Sequence, residues 1–118
     1  LIPTKNHLLR LAAGRFTSTV PDDYRASCQA FIETHDRAWL HDYTLFRILK
    51  TRHGERPWPE WLPEFTRREP QALADLEASA AADIEAIKVV QFLFFDQWQR
   101  LRDYAHSKGI MLFGDIPI

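Results

Sequence analysis

The sequence has 118 residues, 46% of them apolar, and its 15 Lys and Arg against 16 Asp and Glu give a net charge of −1. This length fits one domain with a real core, and the composition argues against an intrinsically disordered chain. The charge balance argues against a nucleic-acid-binding surface, and the longest apolar run, residues 92–95, is too short to cross a membrane. We therefore expect a globular domain with neither a nucleic acid nor a membrane as its partner.

The cellular compartment is indicated by the single cysteine, Cys28, which has no second thiol for an internal disulfide. A lone cysteine and no evident signal peptide predict a reducing compartment, which we take to be the cytoplasm. We expect Cys28 to be a small buried residue on a helix. The sequence starts with Leu1 and its one methionine is Met111, so we expect a processed or excised piece of a longer protein.

Two helices are predicted in the first third of the chain. Residues 5–13 contain helix-forming residues and precede Gly14, a common C-terminal stop, so the first helix is expected to end there. Pro21 is followed by two aspartates, a pattern that favours a helix start. Apolar residues at helical spacing extend this second helix over about 21–34.

A third helix is predicted from Asp36, as its cap, to Gly54, because apolar residues recur there every three or four positions. Residues 35–42 repeat a His-Asp pair, but two histidines six positions apart on a helix point about 120° away from each other. Zinc-binding histidines on one helix are about four positions apart. We therefore expect no metal site and interpret His41 as a packed or solvated side chain.

Residues 55–65, which read ERPWPEWLPEF, contain three prolines and cannot form a regular helix. Their aromatic side chains predict a pinned loop with one short helical turn. Trp58 and Trp61 could each stack on the flat apolar face of a sugar ring, which makes both candidate substrate-binding residues. The alternative is that these two side chains only fix the loop.

The last helix is predicted to run as one element from Pro70 to Gly109. Between residues 89 and 98 it becomes apolar on nearly every side, and such a helix is enclosed by other elements. The residues expected in the core include Phe92, Phe94, Phe95 and Met111.

Three polar side chains, Gln91, Asp96 and Gln97, interrupt this apolar helix. We expect them to form internal hydrogen bonds that orient the helix. The alternative is that they contact a larger protein of which this chain is a part.

The final segment, GIMLFGDIPI from Gly109 to Ile118, has the pattern of a strand that is apolar on both faces. Such strands belong to parallel sheets covered by helices, and no other segment of the chain has a strand pattern. The strand therefore predicts a larger α/β protein, the alternative being an irregular end that lies on a helical bundle. Asp115, near the strand's end, is a candidate substrate-contacting carboxylate, the alternative being that it only shapes the loop.

Four segments stand in an order that carries a family resemblance. They are AWLHDYTLFRILKTRHG (38–54), PWPEWLPEFTRREPQAL (57–73), QFLFFDQWQRLRDYAHSKGI (91–110) and LFGDIPI (112–118). Together they resemble motifs of the 4-α-glucanotransferases, also called amylomaltases or disproportionating enzymes. The resemblance covers the chain from about Phe31 to its end, and residues 1–30 add little to it.

The resemblance implies a mainly α fold, in which a helical insertion subdomain, residues 1–108, ends in one strand, residues 109–118, of a parent (β/α)8 barrel. It implies transfer of α-1,4-glucan segments between glucan or glucose acceptors by retaining double displacement. That chemistry needs a carboxylate nucleophile and an acid/base about 5 Å apart, and in the family both come from later barrel strands. We therefore expect no catalytic residue, no cofactor and no activity in this chain alone. Its implied partners are maltooligosaccharides and the remainder of the barrel.

A stand-alone helical interaction module is the alternative function. In that case residues 110–118 would pack on the chain's own helices without a strand ladder. In the enzyme interpretation they would be extended, with edges that are unpaired or paired with another chain. A piece that has lost its neighbours is expected to self-associate.

Overall fold

Helices make up the architecture of residues 2–114, which are the residues that the computed structural model describes. Six α-helices are present in this range: α1 (Ile2–Thr19), α2 (Asp22–His35), α3 (His41–Arg52), α4 (Pro63–Thr66), α5 (Pro70–Ser79) and α6 (Ala81–Ser107). A π-helical turn, Asp36–Leu40, joins α2 to α3, and a 3-10 turn, Trp58–Glu60, precedes α4. The mainly α class is confirmed, and none of the described helices is long and apolar enough to cross a membrane.

The first helix is longer than predicted, because α1 continues through Gly14 to Thr19. Ala13 and Phe16, on either side of the glycine, are buried in one core cluster with Val89 and Cys28. A mid-helix glycine costs about 1 kcal/mol relative to alanine, which the burial of a phenylalanine side chain offsets. The prediction that Gly14 ends the helix is therefore wrong, because tertiary packing outweighs the local propensity.

The second and third helices keep their predicted places but are joined differently. α2 begins at Asp22, directly after Pro21, as predicted. Asp36 is not a cap, since its backbone is helical at φ −56° and ψ −53° and it opens the π-helical turn instead. Gly54 ends the third helix as predicted, with φ +62° and with its N–H donating to the Thr51 carbonyl at 3.1 Å.

The predicted single helix after Pro70 is divided at Ala80 into α5 and α6. Ala80 leaves the helical region at φ −121° and ψ 17° but keeps its hydrogen bonds, donating to Leu76 and accepting from Ile84 at 2.9 Å each. These three side chains are all buried in one cluster. The alanine-rich sequence around residue 80 favours a continuous helix, so we attribute the interruption at Ala80 to this packing.

Two clusters of buried side chains form the core, and α6 contributes to both. The first lies among α3, α5, α6 and the loop after α3, and contains Leu45, Ile48, Leu49, Trp61, Leu76, Ala80 and Ile84. The second lies among α1, α2 and α6, and contains Ala13, Phe16, Cys28, Val89 and Phe92. The predictions that Cys28 and Phe92 are buried are thus confirmed.

The carboxyl-terminal half of α6 is more exposed than predicted. Phe94 is 58% exposed, and Phe95 and Trp98 are also exposed, so residues 89–98 are not enclosed on all sides by the described part of the chain. Met111 is likewise exposed, which makes its assignment to the core wrong. The physical reason is that α1 and α2 cover only the face of α6 that carries Val89 and Phe92.

The predicted strand is not present in the part of it that is described. Gly109 ends α6 with φ +73°, as predicted, and the Ile110 N–H donates to the Ala105 carbonyl at 3.0 Å. Residues 110–113 then have no regular secondary structure, and no strand ladder occurs within residues 2–114. A strand needs a neighbouring strand for its backbone groups, and residues 110–113 have none within the same range. Asp115 lies outside the described residues.

Candidate functional site

The candidate site is the tryptophan loop, residues 55–65, which follows α3. Extended backbone at Pro57 and Trp61 brackets the 3-10 turn, and α4 begins at Pro63. The proline rings fix the backbone angles at these positions and prevent a longer helix. The prediction of a pinned loop with a short helical turn is therefore confirmed.

Trp61 anchors the loop in the first core cluster. Its side chain is only 6% exposed, and its indole N–H donates to the Arg56 carbonyl at 3.1 Å. One face of the ring stacks on His53, with centroids 5.4 Å apart and planes 19° apart, and the ring centroid of Phe46 lies 5.6 Å away. In this chain the Trp61 ring is therefore covered by its own neighbours.

His53 connects the loop to the end of α3 through both of its ring nitrogens. Nδ1 lies 2.8 Å from the Leu49 carbonyl oxygen, and the Leu62 backbone N–H donates to Nε2 at 3.2 Å. Because a carbonyl can only accept and an N–H can only donate, the proton must be on Nδ1. In this tautomer, His53 holds the loop against the end of α3.

Trp58 is the exposed member of the tryptophan pair, with 51% of its surface accessible. Its carbonyl accepts a hydrogen bond from the Trp61 N–H at 3.1 Å, which ties the exposed residue to the buried one. The loop thus presents one indole on a rigid base. Such a surface can bind a flat apolar group, and it offers no nucleophile of its own.

The structure separates the three candidate substrate-binding residues. Trp58 is on the surface and Trp61 is in the core, while Asp115 is not among the described residues. Sugar contact by these residues stays a prediction.

The repeated His-Asp pairs of residues 35–42 face four different partners. His41 Nε2 lies 3.0 Å from Glu77 Oε1, and Arg68 donates to Asp42 Oδ1 at 2.7 Å. The remaining contacts pair His35 with Trp39 and Asp36 with Lys88. Within residues 2–114 no three His, Cys, Asp or Glu side chains come together as metal ligands would.

Asp96 forms the internal hydrogen bonds predicted for it. Its Oδ2 accepts from the Tyr24 hydroxyl at 2.7 Å, and the Arg100 guanidinium lies 3.0 Å from the same oxygen. Burial, and then the bond to Asp96, raises the pKa of Tyr24 to about 12. This network fixes α2 against α6. Gln91, in contrast, lines a groove that the sequence did not indicate.

Comparison with known proteins gives a consistent result. The profile of the family described as 4-alpha-glucanotransferase matches residues 1–118. The 4-alpha-glucanotransferase of Thermus thermophilus is 36% identical over 110 residues, which are 93% of this chain and 22% of that protein. The enzyme of the same name from Clostridium butyricum is 36% identical over 114 residues, 97% of this chain and 22% of that protein. The chain therefore spans about a fifth of the length of the curated relatives it matches.

Proposed function

The chain belongs to the 4-alpha-glucanotransferase family, and we propose that it is the helical part of an enzyme that transfers α-1,4-glucan segments to glucan or glucose acceptors. The observation that carries this proposal is the family match over all 118 residues. The proposed reaction is a retaining double displacement, which uses two carboxyl groups and a covalent glycosyl-enzyme. Such chemistry needs no cofactor. We also propose a cytoplasmic enzyme, on the ground of the single cysteine.

The two reacting carboxyl groups are proposed to lie outside this chain, which makes the isolated chain inactive. Several of its own carboxylates already have partners: Asp36 faces Lys88, and Asp96 faces Tyr24 and Arg100. A carboxylate tied in this way is poorly placed to attack a sugar carbon. The role of the chain is then structural and substrate-binding.

The remainder of the enzyme is the proposed partner of the exposed end of α6. Phe94, Trp98 and Leu101 are exposed on this helix, and Met111 and Phe113 follow in the tail. Large exposed apolar surfaces of this kind mark interfaces. We propose that a (β/α)8 barrel covers them and that residues 109–118 become one of its strands, with Asp115 at the substrate end. Alone, the chain is proposed to self-associate through the same surface.

The tryptophan loop is the proposed point of glucan contact within this chain. Trp58 offers an exposed indole for the contact. Trp61 is also proposed as part of the glucan site, where it holds the loop that carries Trp58. Apolar faces of glucose rings stack on such indoles.

The first test is to extend the reading frame on both sides, express the whole protein and incubate it with maltotriose. We expect glucose and longer maltooligosaccharides from the whole protein and neither from the 118-residue chain. A whole protein that folds but does not redistribute glucose units would contradict the proposal. The chain would then be an interaction module that carries family motifs.

A second test addresses Trp58 in the whole protein. Replacing Trp58 with Ala should raise KM for long glucans about threefold to tenfold, because one stacking contact is lost, and should leave kcat nearly unchanged. Leu62→Ala is the matched control, since Leu62 is an exposed apolar residue of the same loop. An equal effect of both substitutions would contradict a specific stacking role.

A further inference from the structure

A groove of about 610 Å³ lies between α1, α3 and α6, and Glu55 is the one residue of the tryptophan loop that lines it. Small-molecule sites in proteins have volumes of about 300 to 1,000 Å³, so the groove is large enough for a ligand. Ile48, Ile87 and Val90 contribute apolar surface to it. Nothing in the proposed glucan transfer uses this groove.

The walls of the groove are regular helix faces. Tyr43, Arg47 and Thr51 line it from α3 at intervals of four residues, and Ile87 and Gln91 line it from α6 at the same interval. Residues four apart lie on one face of a helix, so these side chains are held by rigid elements. Gln91, the polar interruption in the apolar stripe of α6, makes no side-chain hydrogen bond to any described residue. Its amide is therefore available to a ligand.

Basic side chains predominate around the groove. Four line it, against two acidic ones, whereas the whole chain has a net charge of −1. The basic residues are Lys5, Arg10, Arg47 and Arg52, and the acidic residues are Glu55 and Asp83. The groove thus carries a surplus of two positive charges.

The four basic groove residues form no ion pair with a described residue, unlike five of the other Lys and Arg side chains. Arg67, Arg68 and Arg100 each pair with a carboxylate at 3.0 Å or less. In the part of the chain that the structure describes, none of the four basic groove residues has a carboxylate oxygen within 4.0 Å. One Arg52 nitrogen donates to Ser79 Oγ at 3.4 Å. The side chains of Lys5, Arg10 and Arg47 form no hydrogen bond with a described residue, and a guanidinium fork matches the oxygens of a phosphate.

We propose that this groove binds a phosphorylated small molecule, either a nucleotide or a sugar phosphate. Arg47 and the neighbouring cations hold the phosphate, Tyr43 and Gln91 offer hydrogen bonds to the polar groups of the ligand, and Ile48 and Ile87 contact its apolar face. A neutral glucan explains the groove less well, because it would not balance the surplus of two positive charges and would meet aliphatic side chains there. The inference goes beyond glucan transfer, since it gives the chain a ligand of a different chemical class.

Titration calorimetry of the 118-residue chain tests the proposal with four probes: AMP, glucose 1-phosphate, inorganic phosphate and maltotriose. We expect AMP or glucose 1-phosphate to bind at least about tenfold more tightly than inorganic phosphate, because the ligand body adds apolar contact. Maltotriose should not compete. Whichever of AMP and glucose 1-phosphate binds more tightly identifies the ligand as a nucleotide or as a sugar phosphate.

Substitutions locate the binding. Arg47→Gln should weaken binding at least about tenfold, and Arg47→Lys should have an intermediate effect, because it keeps the charge but loses the fork. Gln91→Leu gives an independent second variant. Arg102→Gln is the matched control and should have no effect, since Arg102 is exposed and lies outside the groove. Circular dichroism verifies that each variant keeps its helices.

Four results would overturn the proposal. They are no binding at millimolar probe, equal affinity for inorganic phosphate, equal competition by maltotriose, and equal weakening by Arg102→Gln. Tight binding of an acidic amphipathic peptide without binding of either phosphorylated probe would also overturn it, and would make the groove a protein-docking surface. Failure of glucan transfer in the whole protein would leave the calorimetric result unaffected, so the two proposals fail separately.

Discussion

The two halves of α6 both carry large apolar side chains, but these are buried mainly in the first half and exposed in the second. In residues 81–93, Ile84, Val89 and Phe92 are buried in the two core clusters. In residues 94–107, Phe94, Leu101 and Tyr104 are more than half exposed. The apolar pattern of a helix therefore indicates which of its surfaces needs to be buried. It does not indicate which element buries that surface.

The largest expected effect is a difference in stability between substitutions of Phe92 and Phe94, which lie two positions apart on either side of the boundary between the two halves. Phe92→Ala should lower the free energy of unfolding by about 3 to 5 kcal/mol, because it leaves a cavity among Phe16, Tyr24 and Phe31. Phe94→Ala should change it by less than about 0.5 kcal/mol, since that ring is mostly exposed. Denaturant unfolding of both variants measures this, and comparable losses would show that the second half is also covered.

The next effect concerns the one charged residue in the covered half that is buried. Lys88 Nζ lies 2.7 Å from Asp36 Oδ1, which has no well-directed hydrogen bond within the described range. Lys88→Met should therefore destabilise the fold by about 2 to 3 kcal/mol, at the lower end for a buried pair because Asp36 is about one-third exposed.

The double variant Lys88→Met with Asp36→Leu is the control for that loss. It should recover most of the stability, because both charges leave the interior together. If the double variant is as unstable as the single one, the lysine stem matters through packing and not through its charge.

Sequence reasoning succeeded where a single residue, such as a proline or a glycine, determines where a helix begins or ends. Pro21, with the acids after it, located the start of α2, and the stops at Gly54 and Gly109 have the positive φ that favours glycine. The tryptophan loop followed from its prolines in the same way. These outcomes depend on local backbone chemistry, which the sequence states directly.

Sequence reasoning failed where contacts between residues far apart in the chain determine the local structure. Gly14 stays helical because Phe16 packs on α6. The helix is interrupted at Ala80, which shares a core cluster with Leu76 and Ile84. The groove at Arg47 was missed for the same reason, since three separate helices form it. Of the candidate site, the pinned loop was predictable, but the division of roles between a buried Trp61 and an exposed Trp58 was not.

The exposed half of α6 should show its effect in association more than in stability. The isolated chain is expected to form oligomers, and Phe94→Glu should weaken this association roughly tenfold or more while leaving unfolding nearly unchanged, because a charge replaces an exposed apolar contact. Sedimentation over a range of concentrations measures this. Clean monomer behaviour of the original chain at high concentration would contradict the assignment of this surface as an interface.

The smallest expected effect on stability concerns the hydrogen bond between the Tyr24 hydroxyl on α2 and Asp96 on α6. Tyr24→Phe should cost about 1 kcal/mol, because Asp96 keeps Arg100 and is not left unpaired. Burial first, and then the bond to Asp96, raises the pKa of Tyr24 from 10.0 to about 12, so the folded state holds this proton more tightly than the unfolded state.

The stability contributed by the Tyr24 proton is therefore complete below about pH 10 and is lost as the pH rises towards 12. Unfolding measured across that range should show a steeper decline in the original chain than in Tyr24→Phe, and ultraviolet difference absorbance follows the ionisation itself. Ionisation of Tyr24 at its ordinary pKa of 10.0, or parallel declines in the two chains, would mean that α2 does not hold the carboxyl-terminal half of α6 through this bond. The part of α6 that is held by the other helices would then end at Phe92, and the two halves would differ more in their packing than the structure shows.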